Sequence, residues 1–146
     1  YTTDASGLSS TRAAAADPGK WLVLPEIISK EPLGPLVRHG DHQWGDVVRW
    51  SLNAMIIAEE LGVSSENVDA QKSSNVPEVL RLLGVEGSYG EMLELAPDWA
   101  YQIIKQIGNY SESYEANVGP DTPLEIARGL NALWTQGGIL YAPPFR

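Results

Sequence analysis

The sequence lacks cysteine, which excludes a disulfide scaffold, a thiolate zinc site and a cysteine nucleophile. It is also poor in positive charge: 10 Lys and Arg residues stand against 19 Asp and Glu residues, a formal net charge of -9. Such a surface repels phosphates, so nucleic acid is not an expected partner. No apolar run approaches the about 20 residues that a bilayer requires, so no membrane insertion is expected. With 146 residues, 43% of them hydrophobic, the chain can form one domain with a core.

Helix signals dominate the chain after residue 40. Asp41 is a good N-cap for a helix over about 42–61, and Gly62 stands where a left-handed C-terminal residue is favoured. Apolar side chains cover most of this helix, so we expect it to be buried on several sides. Four further helices are predicted over about 77–84, 97–108, 110–118 and 122–137. The last of them begins with a capping box, Thr122-Pro123-Leu124-Glu125.

Strand signals are few and short, over 21–24, 36–38 and 139–142. They lie too far apart to make a satisfactory sheet alone. Residues 24–40 combine three prolines with several large apolar side chains, which indicates a stiff connector rather than a disordered linker. The residues therefore favour a helix-rich α/β domain, with Trp44, Trp50, Trp99 and Trp134 expected in its core.

Three segments carry a resemblance to a known family: they are YTTDASGL at 1–8, LPEIISKEPLGPLVRHGDHQW at 24–44 and NVGPDTPLEIARGLNALWTQGGILYAPPFR at 117–146. They resemble the carboxy-terminal part of the general L-amino-acid-binding proteins of ABC importers, members of solute-binding protein family 3 in the Gram-negative periplasm. The resemblance runs almost end to end, and its final stretch is highly specific to that group. The chain resembles less than half of the family's mature protein and begins with Tyr1 rather than Met. We therefore expect it to be processed or to be a piece of something longer.

The resemblance implies an α/β fold with two lobes joined by crossing strands, and an amino acid held between the lobes. Residues 1–28 resemble the end of the second lobe, residues 29–40 the hinge crossing, and residues 41–146 the helical completion of the first lobe. As a fragment, the chain should be helix-rich with few short strands, whose partners lie upstream. We expect the open strand edges to pair with the upstream half of the same protein or with another copy.

The resemblance also implies a ligand-binding role for Asp4, because the YTTD motif matches the family aspartate that binds the α-ammonium of the amino acid. An ammonium taken out of water needs a carboxylate and further acceptors. Thr3 is expected to offer a hydroxyl or a carbonyl to the same ligand. From the residues alone, a helix N-cap before 5–16 is the favoured role of Asp4, the motif match favours ligand binding, and both roles can hold together. The family's carboxylate clamp lies upstream, so the chain should carry half a site, and nothing in the motif places Arg38 at the ligand.

Other constellations favour structural roles. His39, Asp41 and His42 approach metal-ligand spacing but have no evident further ligand, so a solvated loop with a helix cap is the favoured interpretation and no metal is predicted. Glu59 and Glu60 are helix neighbours that point about 100° apart, so they do not form a paired acid/base site. The serines near the amino terminus lack a nearby histidine or a nucleophile elbow.

The leading hypothesis is a fragment of the substrate-binding component of an ABC transporter, which captures L-amino acids in the periplasm and delivers them to the permease subunits. Its mechanism, by resemblance, is hinge closure on the ligand. No enzyme activity and no cofactor are predicted. Two alternatives stay open: a free-standing helical protein-interaction module without a small ligand, and a small metal-dependent enzyme built around His39, Asp41 and His42.

Overall fold

The fold, described for all 146 residues in a computed structural model, consists of six α-helices joined by turns and irregular segments. The helices are α1 Ala5–Ala13, α2 His42–Glu60, α3 Val68–Gln71, α4 Pro77–Leu82, α5 Trp99–Ile107 and α6 Tyr110–Asn117. Single 3-10 turns occur at Pro18–Lys20, Glu91–Leu93, Gly129–Asn131 and Trp134–Gln136. No strand forms, and the one β-bridge joins Leu133 to Leu140 in parallel orientation. None of the helices has the length and apolar character needed to cross a bilayer.

The chain divides into two compact units. The first unit comprises residues 1–35 and 114–128, and the second comprises residues 36–113 and 129–146. The first unit contains α1 and the turns around it. The second unit contains the long helix α2, which packs against α4 and α5, while α3 packs against α5.

The second unit holds the hydrophobic core. Ala54, Ala58 and Ile104 on α2 and α5 have no exposed surface, because the two helices pack side by side. The carboxy-terminal Phe145 is also buried, and its ring lies 5.3 Å from that of Trp50 and 6.1 Å from that of Trp99, measured between centroids. The end of the chain thus closes one side of the core with an aromatic cluster, whose offset and edge contacts are favourable ring arrangements.

The ends of α2 and α4 agree with their sequence signals. Asp41 accepts a hydrogen bond from the Trp44 amide (3.2 Å) and so caps α2 as predicted. Beyond the last turn, Gly62 adopts a φ of 67°, and the amides of Gly62 and Val63 donate to the carbonyls of Glu59 and Ala58. This is a Schellman motif, which satisfies carbonyls that the helix leaves free. An equivalent pair of bonds ends α4 at Gly84, where a Cβ would lie 1.9 Å from the Pro97 carbonyl oxygen.

A capping box lies at the start of α6. The Asn109 side chain accepts from the Glu112 amide (3.0 Å), and the Glu112 carboxylate accepts from the Asn109 amide (2.8 Å). The same carboxylate accepts from the amide and hydroxyl of Ser65, and the buried Asn109 side chain donates to the Val63 carbonyl (2.9 Å). These two residues therefore join the beginning of α6 to the loop that follows α2.

The helix predicted over 122–137 does not form, so that prediction is wrong. Thr122 Oγ1 donates to the Gly119 carbonyl and accepts from the Leu124 amide, which closes a local turn instead of a helix cap. Glu125 has a φ of 53°, outside the helical region, and its carboxylate pairs with Arg12 in the same unit. Contacts of the folded unit thus override the local helix signal, as tertiary context commonly does.

The three predicted strands also do not form. Residues 21–24 and 36–38 carry no strand assignment, and in 139–142 only Leu140 takes part in a bridge. Two of the four tryptophans expected in the core are half-exposed: Trp44 is 54% exposed and Trp134 is 51% exposed. Trp99 is buried, and Trp50 packs against the core as expected. The predicted helix-rich character is confirmed, whereas the segments 21–24 and 36–38 pair with no strand and 139–142 pairs only through Leu140.

Candidate ligand-binding site

Asp4 lies in the first unit at the amino terminus of α1, in extended backbone with φ -61° and ψ 160°. Its Oδ1 accepts from the Gly7 amide (2.8 Å) and from the Ser6 hydroxyl, and its Oδ2 accepts from the hydroxyl of Thr3 (3.2 Å). Asp4 is therefore the N-cap of α1, the structural role that its position in the sequence indicates. The two residues predicted for the ligand, Asp4 and Thr3, touch each other.

Gly7 allows this arrangement to be compact. A Cβ at Gly7 would lie 2.9 Å from the Thr3 methyl carbon and 3.0 Å from Asp4 Oδ2, closer than ordinary contacts allow. Ser6 and Gly7 are not among the residues predicted for this site. Their roles can be read from the order Asp4-Ala5-Ser6-Gly7. A serine two residues after a capping aspartate provides a hydroxyl donor, and a glycine three residues after it provides an accessible amide.

The Asp4 carboxylate is held in its charged form. Hydrogen bonds from the Ser6 hydroxyl, and then from the Gly7 amide, hold the pKa of Asp4 below its usual value. The amino-terminal end of α1 adds the positive end of the helix dipole. At neutral pH the group is thus an anion that has stable partners on one oxygen.

The hydrogen-bonding capacity of this carboxylate is not exhausted. Each oxygen of an ionised carboxylate can accept about two hydrogen bonds. Oδ1 accepts two, from Ser6 and Gly7, whereas Oδ2 accepts only the long bond from Thr3. Asp4 is only partly buried and Thr3 is exposed. Oδ2 is therefore able to receive a further donor, and a cationic N–H donor would suit it best.

A second feature of the first unit is a cavity of about 400 Å³ near the other end of α1, lined by Arg12, Ala13, Pro18, Gly19, Trp21, Pro123 and Glu125. Neither Asp4 nor Thr3 lines it. Arg12 is neutralised by its ion pair with Glu125, so this cavity offers no free cation for an anionic ligand.

The tract around His39, Asp41 and His42 does not bring three potential metal ligands together. The side chain of Asp41 is used as the cap of α2, and no group of three or more His, Cys, Asp or Glu residues is placed to hold a metal ion. Arg38 contributes its carbonyl to a turn with the Asp41 amide (3.2 Å).

Comparison with solved structures defines the class of fold. The chain superposes over its whole length on a periplasmic binding protein of an ABC transporter from Brucella ovis, solved with glutathione bound, with a TM-score of 0.95 and 51% sequence identity. It covers 46% of that chain. The fold is therefore part of a periplasmic binding protein fold, as the resemblance predicts. A scan against family models finds no match.

Curated relatives define the kind of binding protein. The chain is 55% identical to the glutamate/glutamine/aspartate/asparagine-binding protein BztA of Rhodobacter capsulatus, and covers 44% of it. It is 56% identical to the putative amino-acid ABC transporter-binding protein YhdW of Escherichia coli, and 55% identical to the general L-amino acid-binding periplasmic protein AapJ of Rhizobium johnstonii. The chain is thus a homologue of amino-acid ABC transporter-binding proteins and represents a carboxy-terminal part of them. It spans less than half the length of the curated relatives that it matches.

Proposed function

We propose that this chain is part of the substrate-binding component of an ABC importer, which captures L-amino acids in the periplasm and delivers them to the membrane permease. The relatives are transport-binding proteins rather than enzymes, and we propose no catalytic activity for this chain. The observation that carries the proposal is the Asp4 carboxylate. It is charged, fixed by three hydrogen bonds and still able to accept at Oδ2.

The role of Asp4 in this proposal is to bind the α-ammonium of the ligand. An ammonium has three N–H donors, each of which needs an acceptor once water is removed. Asp4 Oδ2 supplies one charged acceptor, and Thr3 supplies oxygen atoms next to it. Because Ser6 and Gly7 already orient the carboxylate, little side-chain freedom is lost when the ligand binds.

The ligand class follows from the shared chemistry of the relatives' ligands. Their names specify acidic and amide amino acids, L-amino acids in general and, in the solved structure, glutathione. All of these molecules carry a free α-ammonium beside an α-carboxylate, and glutathione carries it on its γ-glutamyl group. We therefore propose that the α-amino-acid head group is the recognised element, and that its carboxylate is bound by residues outside these 146.

For the mechanism, we propose closure of two lobes on the ligand, with residues 1–28 in the second lobe, 29–40 in the hinge crossing and 41–146 in the first lobe. A ligand stabilises a closed state only through contacts that the open state lacks. The proposed partners are the amino acid, the permease subunits, and either the rest of the binding protein or another copy through unpaired strand segments. The alternative of a free-standing helical module is less favoured, because the relatives of this chain are more than twice as long.

The experiment uses a polypeptide of the relatives' full length that carries this chain, with L-glutamine affinity measured by calorimetry. Asp4→Asn is the informative variant, because asparagine caps a helix as well as aspartate and so preserves α1. We expect affinity to fall at least about 30-fold, the range observed when one partner of a buried charge pair is lost. The control is Asp17→Asn, which removes an exposed carboxylate of the same unit that pairs only with Lys20. Unchanged affinity in Asp4→Asn would remove Asp4 from the site.

A further inference from the structure

The ion pair between Arg12 and Glu125 joins two parts of the chain that are 113 positions apart. Arg12 lies in the last turn of α1, and Glu125 lies in the segment 114–128. The contacts of this segment group it with residues 1–35, although the residues that precede and follow it belong to the second unit. The proposed lobes divide the chain differently, because they place Arg12 in the second lobe and Glu125 in the first. Within that proposal, the ion pair connects one lobe to the other.

The backbone around Glu125 holds its carboxylate in one place. The Ile126 amide donates to the Val118 carbonyl (3.0 Å) and closes the loop between these two residues. Inside the loop, the Glu125 amide donates to the Thr122 carbonyl (3.1 Å). Glu125 itself has a φ of 53°, a left-handed conformation that is costly for a residue with a side chain and persists only where its surroundings enforce it. The loop thus orients this side chain before the pair forms.

The contact around the pair is not packed like a core. Within this chain, Arg12 and Glu125 line the same cavity of about 400 Å³, with Trp21 and Pro123 beside them. The side chain of Arg12 is 24% exposed and that of Glu125 is 62% exposed. Protein interiors leave few voids larger than a water molecule, so a permanent interface would be filled more closely. A contact held by one ion pair beside open space can separate and form again without disrupting a packed core.

Building on the proposed function, we infer that Arg12 and Glu125 form a latch, an ion pair that stabilises the closed, ligand-bound form of the binding protein. The chain superposes over its whole length, at a TM-score of 0.95, on a binding protein solved with glutathione bound, so the fold in which the pair forms is that of a ligand-bound protein. Closure is favoured by every contact that the open form lacks. Asp4 and Thr3 do not line the cavity at the pair, so the latch acts apart from the proposed ligand contacts.

The test uses the polypeptide of the relatives' full length that carries this chain. Arg12→Gln removes one charge of the pair but keeps a helix-forming side chain in α1. A latch acts after the ligand has bound, so radiolabelled L-glutamine, chased with unlabelled ligand, should be released about threefold faster, within the range that exposed ion pairs contribute. The affinity measured by calorimetry should fall by the same factor, which leaves the association rate unchanged.

Three further variants show whether the effect belongs to this pair. Glu125→Gln, alone or combined with Arg12→Gln, should release the ligand as fast as Arg12→Gln does, because either substitution already breaks the pair. Lys105→Gln is the matched control: it breaks the exposed pair of Lys105 with Asp69 (2.6 Å), which lies within residues 41–146, and release should keep the rate of the parent. Additive effects in the double variant, or equally fast release in Lys105→Gln, would overturn the latch.

The same measurements separate the latch from the proposed function on which it rests. A parent polypeptide that binds no L-glutamine would defeat the proposed function, and the latch with it. A parent that binds L-glutamine, with the same release rate in Arg12→Gln and Glu125→Gln as in the parent, would defeat the latch alone.

Discussion

Helices α2 to α5 and the segment of residues 22–37, called the connector in this comparison, both carry large aliphatic side chains, but only the helices bury them within this chain. In the helices, Leu82 is 2% exposed and Ile104 has no exposed surface, whereas Ile27 and Leu36 in the connector are 85% and 97% exposed. The backbones differ in the same way, because Asp41 caps α2 and Schellman motifs end α2 and α4, while no residue of the connector makes a backbone hydrogen bond. Local signals are therefore sufficient for the helices, whereas most apolar side chains of the connector have no cover within these 146 residues.

The largest effect on stability should come from truncating a buried side chain in the helices. Ile104→Ala deletes a side chain with no exposed surface, so we expect the free energy of unfolding to fall by about 2–5 kcal/mol. Leu36→Ala is the connector counterpart, and it should change the stability of the 146-residue chain by less than about 0.5 kcal/mol. Urea titration followed by circular dichroism measures both. A comparable loss in Leu36→Ala would show that the connector is packed after all.

A medium effect is expected at the capping box of α6. Asn109→Ala leaves the Val63 carbonyl and the Glu112 amide without their partner, which should cost about 1–3 kcal/mol. The control is Asn67→Ala, since Asn67 makes two local hydrogen bonds with Ser64 and Gly62, of which the one to the Gly62 carbonyl is exposed. Its stability loss should be smaller in the same urea titration. A larger loss of stability in Asn67→Ala than in Asn109→Ala would contradict the stabilising role given to the capping box of α6.

The smallest effect is a pH dependence at Glu112. Burial raises the pKa of its carboxyl, but hydrogen bonds from the Ser65 hydroxyl and from the amides of Asn109 and Ser65 outweigh burial and hold the pKa below its usual 4.5. Its contribution to stability is therefore fully present above pH 4.5 and is lost as the pH falls through the lowered pKa. We expect the stability difference between the parent chain and Glu112→Gln to shrink from pH 7 to pH 3. A constant difference would show that the charge of Glu112 contributes nothing.

The comparison also explains how much the sequence could predict. The start of α2 at Asp41, its end at Gly62 and the glycine after α4 depend on neighbouring residues only, and these predictions are confirmed. The capping-box pattern at Thr122 failed, because Glu125 pairs with Arg12, a residue more than 100 positions away. Asn109 and Glu112 do form a capping box, with reciprocal hydrogen bonds. This capping box was not predicted, although asparagine is a strong cap.

In the candidate site, too, some features could be predicted from neighbouring residues and others required the folded geometry. The capping role of Asp4 followed from its position before a run of helix-forming residues, whereas the contributions of Ser6 and Gly7 required the geometry of the turn. Whether Oδ2 of Asp4 receives a ligand stays a prediction. It depends on residues that would complete the site, and these cannot be deduced from local patterns in this chain.

The prolines of the connector have one more consequence, which concerns the solubility of the isolated chain. They divide the segment so that its longest run without proline is the six residues from Glu26 to Glu31, and in that run the isoleucine pair is flanked by Glu26, Lys30 and Glu31. Charged flanking residues and missing N–H donors both disfavour stacking of identical segments into fibrils. The exposed aliphatic side chains of this segment are thereby less able to drive amyloid-like growth.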